Sequence, residues 1–147
     1  MLSDLKLDID GIRLNIRVGV VMRFANDVVI EVSTVGANSV IPGGRIKINE
    51  SSLNALKREV KEEMGLELDI NKAKQIKTFE NFFEIDKKPF HEIYFLYEYD
   101  LSESELEFIK SIKGNKDNNT TYFKVINKFD LKKYNLLPLE LHQEIQK

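Results

Sequence analysis

Cysteine is absent from this chain of 147 residues. A chain without cysteine forms no disulfides and no thiolate-bound metal sites, and this composition suits a reducing compartment. The sequence also shows no secretory signal segment and no apolar run long enough to span a membrane. We therefore expect a cytoplasmic protein with no membrane partner.

The chain also has little excess charge of either sign. It carries 24 acidic and 22 basic residues, for a net charge of −2. It therefore has no overall basic footprint for nucleic acid, and we expect a small-molecule partner instead. Hydrophobic residues make up 42% of the chain, which argues against disorder. The length predicts a single domain over residues 1–147, and a homodimer is the usual assembly of small soluble proteins.

Alternating and continuous apolar stretches predict a mixed α/β (α+β) fold. Alternation over residues 5–9 and 12–18, on either side of Asp10-Gly11, predicts a β-hairpin. The nearly continuous apolar stretch at residues 18–24 predicts a buried central strand. Further strands are predicted at residues 28–32, 39–42, 66–70, 76–85, 90–99 and 122–126. Helices are predicted from residue 51 or 52 to 64, at 103–113 and from 138 to the end, with a turn at 87–89 and a loop at 114–120.

Three glutamates crowd one side of the first predicted helix. Its apolar stripe predicts the buried side of the helix and consists of Leu53, Leu56, Val60 and Met64. Glu59, Glu62 and Glu63 project into one neighbouring sector, because residues three and four apart are neighbours on a helix. Anions in the last turn also oppose the helix dipole. Clustered carboxylates are hard oxygen ligands that suit Mg²⁺, Mn²⁺ or Ca²⁺, so the pattern predicts a metal site.

The segment before this helix strengthens that interpretation. Taken alone, a short glutamate cluster is usually a solvated charged face. Here it is preceded by Pro42-Gly43-Gly44, and two glycines permit a tight bend and a close approach of the backbone to a ligand. Backbone carbonyls and helix carboxylates can therefore converge on one site.

The segment from Gly44 to Leu66 resembles the Nudix box, the signature of the Nudix hydrolases. That pattern is Gly, five residues, Glu, seven residues, Arg-Glu, an aliphatic residue, any residue, Glu-Glu, any residue, Gly and an aliphatic residue. Every fixed position is met, by Gly44, Glu50, Arg58, Glu59, Val60, Glu62, Glu63, Gly65 and Leu66. The resemblance implies a mixed sheet sandwiched between helices, with the box forming loop, helix and loop.

The resemblance also implies roles for the residues of the box. Glu59, Glu62 and Glu63 match its metal-binding glutamates, and Glu62 or Glu63 also helps to activate water. Gly43 or Gly44 adds a backbone carbonyl ligand to the metal. Arg58 matches the catalytic arginine that orients neighbouring carboxylates, with Glu50 as its expected partner. Three positions are interpreted as supporting or structural, namely Glu50, Gly44 and Gly65.

Residues outside the box are assigned less firmly by the pattern. Asp117 is the only carboxylate in the polar loop 114–120 and is the candidate general base, although a solvated loop aspartate is the ordinary alternative. Other candidate outer acids on the strands are Glu80, Glu84 and Glu92. The candidate substrate contacts are Arg17, Arg23, Phe82 and His91. Each of these four also has an ordinary structural interpretation, as a core aromatic or a polar-face residue.

The function implied by the resemblance is hydrolysis of a pyrophosphate bond in a nucleoside diphosphate derivative. The expected cofactor is Mg²⁺, with Mn²⁺ as a substitute. The first expected substrate is a nucleoside triphosphate, ordinary or modified, which would release a nucleoside monophosphate. The alternatives are an ADP-sugar and a non-catalytic domain that senses nucleotides. The second alternative is disfavoured because such domains usually lose glutamates of the box, and none is lost here.

Overall fold

Eight strands form one mixed sheet in the computed structural model, which describes residues 2–147. The strands are β1 (Lys6–Ile9), β2 (Ile12–Phe24), β3 (Asp27–Ser33), β4 (Ser39–Val40), β5 (Gly43–Arg45), β6 (Lys74–Ile85), β7 (Lys88–Asp100) and β8 (Thr121–Asn127). The central path of the sheet runs β4-β3-β2-β7-β6. In addition, β1 and β5 pair with β2, and β8 pairs with β3.

Strand β2 organises the sheet. It runs parallel to β7 along most of its length and antiparallel to β1, β3 and β5. Val18, Val20, Val21 and Met22 are completely buried, because helices cover both faces of the sheet at this point. The predicted hairpin is therefore confirmed as β1 and the first part of β2. The predicted buried central strand is confirmed as the second part of β2.

The helices lie on both sides of the sheet. The first helix, α1 (Ser52–Met64), and the second, α2 (Glu103–Ser111), pack on the face that carries Val18 and Val20, which we call the helix face. The third helix, α3 (Glu140–Ile145), and a 3-10 helix (Lys128–Tyr134) pack on the opposite face, which we call the C-terminal face. This arrangement confirms the predicted mixed sheet between helices. No helix within residues 2–147 is long and apolar enough to cross a membrane.

Five segments differ from the sequence-based expectation. Residues 66–70 form no strand, although Leu66 and Leu68 are buried, because they pack against α2 and the sheet without a strand partner. Pro89 lies inside β7, and the turn falls at residues 86–87. Proline is tolerated there because pairing with β2 begins only at Phe90. The sequence pattern also missed β5 and the 3-10 helix, and α3 begins at Glu140 instead of residue 138.

Candidate active site

Helix α1 carries the box glutamates and is held by caps at both ends. The Ser51 side chain accepts a hydrogen bond from the Asn54 N–H at its start, and Gly65 adopts the left-handed conformation at its end (φ 77°). Leu56, Val60 and Met64 are fully buried against the sheet, as predicted. The apolar stripe therefore fixes which way the glutamates beside it point.

The glycine loop lies directly against two of these glutamates. A Cβ atom on Gly44 would stand 2.5 Å from the Cδ atom of Glu59, so a larger residue there would push this carboxylate away from its position beside the strand. The N–H of Gly43 donates to Oε1 of Glu63 at 3.3 Å. Strand β5 therefore brings its backbone onto both carboxylates. The carbonyl of Gly43 as a metal ligand stays a prediction.

One group of glutamates surrounds Arg58, and we call it the Arg58 side. The guanidinium grips Glu50 with two hydrogen bonds, from Nε at 2.7 Å and from Nη2 at 2.9 Å, as expected. Its Nη1 donates to Glu59 at 2.8 Å and to Glu62 at 3.3 Å. The hydrogen bonds from Arg58 hold the pKa of Glu50 below its ordinary value despite partial burial. One cation thus orients three carboxylates.

A second group surrounds Asn115, and we call it the Asn115 side. Nδ2 of Asn115 donates to Oε2 of Glu31 at 2.7 Å and to Oε2 of Glu63 at 3.1 Å. Both carboxylates are buried, with exposed fractions of 6% for Glu31 and 8% for Glu63. Burial raises the pKa of Glu63 to about 8, and the nearby carboxylates of Glu31 and Glu59 add to this effect. Within residues 2–147, neither Glu31 nor Glu63 forms an ion pair with a basic side chain.

The sequence pattern missed two members of the Asn115 side. Glu31 is a lone carboxylate in the apolar stretch of β3, and that interruption was the available signal. Asn115 belongs to the predicted polar loop, but the carboxylate chosen there was Asp117. Asp117 is exposed, and it meets the cluster only through its backbone N–H, which donates to Oδ1 of Asn115 at 2.7 Å. Its role as general base stays a prediction.

The structure places the two candidate arginines differently. Arg17 lies on β2 and pairs in register with Arg45 of the glycine strand, and its Nε is 3.8 Å from the carboxylate of Glu92. Arg23 lies at the other end of β2. There its guanidinium donates to the backbone carbonyls of α3, including that of Glu144 at 2.9 Å. Arg17 therefore adjoins the glycine strand, whereas Arg23 holds the C-terminal helix.

The two remaining candidate substrate contacts pair with each other. Phe82 and His91 are direct cross-strand partners on β6 and β7, with ring centroids 4.4 Å apart. Nε2 of His91 lies 3.0 Å from Oε2 of Glu80, and the Phe82 side chain is 66% exposed. The structure shows no hydrogen bond between this pair and the box glutamates within residues 2–147. Their role in substrate binding stays a prediction.

The donors of this site suit a divalent cation. All are carboxylate or backbone oxygens, the ligand type that Mg²⁺ prefers. Buried like charges also call for a cation to compensate them, and the Asn115 side has no basic residue in that role. In the part of the chain that the structure describes, no three acidic or histidine side chains already converge on one point. Arg58 instead engages Glu59 and Glu62. The carboxylate and backbone oxygens of this site are therefore suitable ligands for a divalent cation.

Comparison with known proteins assigns the family. A sequence model of the NUDIX domain matches residues 13–129. The chain belongs to the Nudix family. It is accordingly a hydrolase of phosphorus-containing acid anhydrides. The predicted enzyme class and the predicted family are both confirmed. No curated protein matches this Nudix hydrolase significantly.

Solved structures agree with the Nudix fold. An Ap4A hydrolase from C. elegans shares 16% identity with a TM-score of 0.57, over 90% of this chain and 94% of that chain. The solution structure of the E. coli ORF135 protein shares 13% identity with a TM-score of 0.54, over 94% and 90%. A MutT/nudix family protein from Enterococcus faecalis shares 17% identity with a TM-score of 0.56, over 77% and 43%. At these identities the likeness is one of fold.

Proposed function

We propose that this Nudix hydrolase uses Mg²⁺ to cleave a pyrophosphate bond of a nucleoside triphosphate, ordinary or modified, and releases a nucleoside monophosphate. The observation that carries the proposal is the pair of buried carboxylates, Glu31 and Glu63, beside Glu59 and the glycine strand. An anionic substrate reaches such a cluster only if cations offset the repulsion. A cytoplasmic location is part of the proposal and suits a chain without cysteine.

The side chains divide the chemistry between them. Bound Mg²⁺ would neutralise phosphate charge and lower the pKa of a coordinated water. Glu59, Glu62 and Glu63 would hold the ion, with the carbonyl of Gly43 as a further ligand. Water attacks phosphorus, a P–O anhydride bond breaks, and the proton from the water passes to a carboxylate as pyrophosphate leaves. The hydrogen bonds from Gly43 and Asn115, which fix the two oxygens of Glu63, support Glu63 for that role.

Arg58 would act through its neighbours instead of on the substrate. Its fork on Glu50 fixes the guanidinium, and Nη1 then sets the positions of Glu59 and Glu62. Glu50 also accepts a hydrogen bond from the Lys47 N–H at 3.0 Å, which ties this network to the loop before α1. The network supports an orienting role for Arg58 and a structural role for Glu50.

A substrate panel tests the proposed function. The protein is incubated with Mg²⁺ and with nucleoside triphosphates, nucleoside diphosphates and ADP-ribose, and release of nucleoside monophosphate is followed. We expect turnover of a triphosphate that a chelator abolishes, that Mn²⁺ restores, and that Glu62→Gln lowers at least tenfold. The matched control is Glu107→Gln, which removes an exposed carboxylate of α2. No turnover of any compound, or equal rates for the wild type and Glu62→Gln, would refute the catalytic assignment.

A further inference from the structure

A row of polar side chains crosses the C-terminal face of the sheet, between two pairs of aromatic residues. Asn15 of β2 lies opposite Glu92 of β7, and Glu92 lies opposite Asn81 of β6. A stacked aromatic pair borders this row on each side along the strands. The pairs are Phe83 with Phe90 and Phe79 with Tyr94, each with ring centroids 4.9 Å apart. Along the strands, the polar row therefore lies between two aromatic pairs.

The polar groups of this row are incompletely satisfied. Glu92 is only 7% exposed, yet its carboxylate receives long contacts, from Nδ2 of Asn15 at 3.3 Å and from Nδ2 of Asn81 at 3.5 Å. The Nε of Arg17 is 3.8 Å away. Typical N–H···O hydrogen bonds are near 2.9 Å, so these contacts are weak. Asn15 is 2% exposed, and its Oδ1 has no hydrogen-bond partner.

Unsatisfied buried acceptors are costly, so a native protein keeps them where something else supplies the donors. The two amide groups already direct their N–H donors at Glu92. What the row offers to a ligand is therefore an acceptor, namely the carboxylate of Glu92. The carbonyl oxygen of Asn15 is fully buried, and Asn15 positions the carboxylate through its Nδ2. A ligand that fits must present neighbouring N–H groups.

The row lies within reach of the glutamate cluster. Asn15 is three residues from Val18 on β2, which is about 10 Å along a strand. Val18 is in register with Gly44, and Gly44 lies against Glu59. Arg17 lies on the same face as Asn15, since side chains alternate along a strand, and its positive charge is close enough to act on the carboxylates of both Glu92 and Glu59. A nucleotide whose phosphates lie at Glu59 can therefore place its base over this row.

We propose, building on the proposed function, that Glu92, positioned by Asn15, recognises the substrate's base and selects one that presents adjacent N–H donors. Guanine has this pattern in its N1–H and its 2-amino group, which together match a carboxylate. Adenine presents an acceptor beside its amino group, so it would bring one acceptor against another. The stacked pair of Phe83 and Phe90 is half-buried at the border of the row and offers an aromatic flank for the base.

The first experiment compares kcat/KM for GTP, ITP and ATP with Mg²⁺. ITP lacks the 2-amino group of guanine and is otherwise matched to GTP. We expect the wild type to prefer GTP over ITP by about tenfold, as for one well-placed hydrogen-bonded edge, and to disfavour ATP further. Glu92→Gln should remove most of the preference for GTP over ITP, whereas Glu107→Gln should keep it. An equal or higher value for ATP in the wild type, or an unchanged ratio in Glu92→Gln, overturns the proposal.

A binding measurement separates this proposal from the proposed function. GMP, IMP and AMP are titrated into the wild type and Glu92→Gln by calorimetry with Mg²⁺, since monophosphates have no anhydride bond to cleave, and thermal unfolding confirms that the variant folds. Glu92-dependent preference for GMP in a protein that hydrolyses nothing would support base recognition and reject catalysis. Hydrolysis of triphosphates with no preference among bases, and no preference among the monophosphates, would reject base recognition and leave catalysis standing. The comparison of GMP, IMP and AMP in the wild type tests the base preference even if Glu92→Gln fails to fold.

Discussion

The glutamates near α1 lie in two contrasting environments. On the Arg58 side, one guanidinium binds Glu50, Glu59 and Glu62, so a single positive charge offsets part of their negative charge within the fold. On the Asn115 side, a neutral amide bridges Glu31 and Glu63, and no basic side chain within residues 2–147 forms an ion pair with either. The residue type is the same on both sides, and only the partner differs.

The contrast teaches where an added cation has most to contribute. Glu50 is held by a two-bond fork from arginine and gains little from a second cation. Glu59 and Glu62 share the remaining Nη1 of Arg58 and can still gain from one. A buried carboxylate held by an amide lacks a cation altogether. The pKa directions follow these surroundings, because hydrogen bonds from Arg58 lower the pKa of Glu50 while burial raises that of Glu63. Burial also raises the pKa of Glu59, against the single hydrogen bond from Arg58. The Arg58 side therefore orients the site, and the Asn115 side is its electrostatically incomplete part.

The largest expected effect comes from removing a charge on the incomplete side. Glu63→Gln should lower kcat/KM for the best triphosphate by about 100-fold or more, since even indirect metal ligands commonly contribute 10- to 100-fold. The metal-free variant should lose no more than about 1 kcal/mol of stability at pH 7, because the amide removes a buried ionisable group but can accept only one of the hydrogen bonds from Gly43 and Asn115. Kinetics with Mg²⁺ and thermal unfolding with a chelator measure both quantities. Retained activity together with a lower melting temperature would reverse the roles of the two sides.

Breaking the Arg58 side should reduce stability. Arg58→Ala removes the fork from Glu50 and leaves three neighbouring carboxylates without their cation, so the free energy of unfolding should fall by about 2 kcal/mol. The matched control is Arg13→Ala, which breaks a similar fork on Asp8 at the surface. Water and salt screen that exposed pair, so its loss should matter much less. Urea denaturation measures both variants, and equal losses would contradict the importance of partial burial.

The pH dependence of stability should differ between the two sides. The pKa of Glu63 is about 8 in the folded state against an ordinary value of 4.5, so the folded state binds more protons than the unfolded state between these values. The free energy of unfolding of the metal-free protein should therefore fall as the pH rises from 5 to 8, by at most about 1.4 kcal/mol per pH unit. Glu50 has a lowered pKa, so its contribution is present above 4.5 and is lost only in more acidic solution.

Urea denaturation at several pH values, with a chelator, measures this slope. Glu63→Gln should remove most of it and leave the part due to Glu59, whose pKa burial also raises. Saturating Mg²⁺ should flatten it in the wild type because a metal-bound carboxylate stays ionised. Glu50→Gln should leave the slope between pH 5 and 8 in place. A slope that survives undiminished in Glu63→Gln would assign the titration to another group.

The smallest expected effect concerns the loop that carries Asn115. Asp117 is exposed and touches the cluster only through its backbone. Asp117→Asn should therefore change kcat by less than about threefold, since surface changes away from the reacting groups have small effects. Steady-state kinetics measure it beside Glu63→Gln. A loss as large as that of Glu63→Gln would make Asp117 the general base, as the sequence suggests, and would require the loop to close over α1.

Local rules account for much of what the sequence predicted correctly. The spacing of Glu59, Glu62 and Glu63 places them in one sector of any helix, and Ser51 and Gly65 mark where that helix begins and ends. The same local logic predicted the first hairpin. Local rules failed for residues 66–70, because a buried alternating segment becomes a strand only if another strand pairs with it.

Glu31 and Glu92 show what local pattern could not decide. Each is a carboxylate in an apolar strand, and alternation says that neighbours face opposite ways without saying which side bears the site. The pairing of β3 with β8 and the loop before β8 bring Glu31 to Asn115, which is 84 residues away in the chain. Parallel pairing of β2 with β7 brings Asn15 to Glu92, 77 residues away.

The sequence by itself determined the helix, its glutamates, the glycine approach and, through them, the Nudix family and its reaction class. Each of these depends on residues within one short segment, where helix and turn geometry set the positions of side chains. Only the tertiary structure divided the carboxylates into a side held by Arg58 and a side held by Asn115, and only it set Glu92 beside Asn15. Those contacts depend on strand register across the sheet, which forms when distant segments pack together.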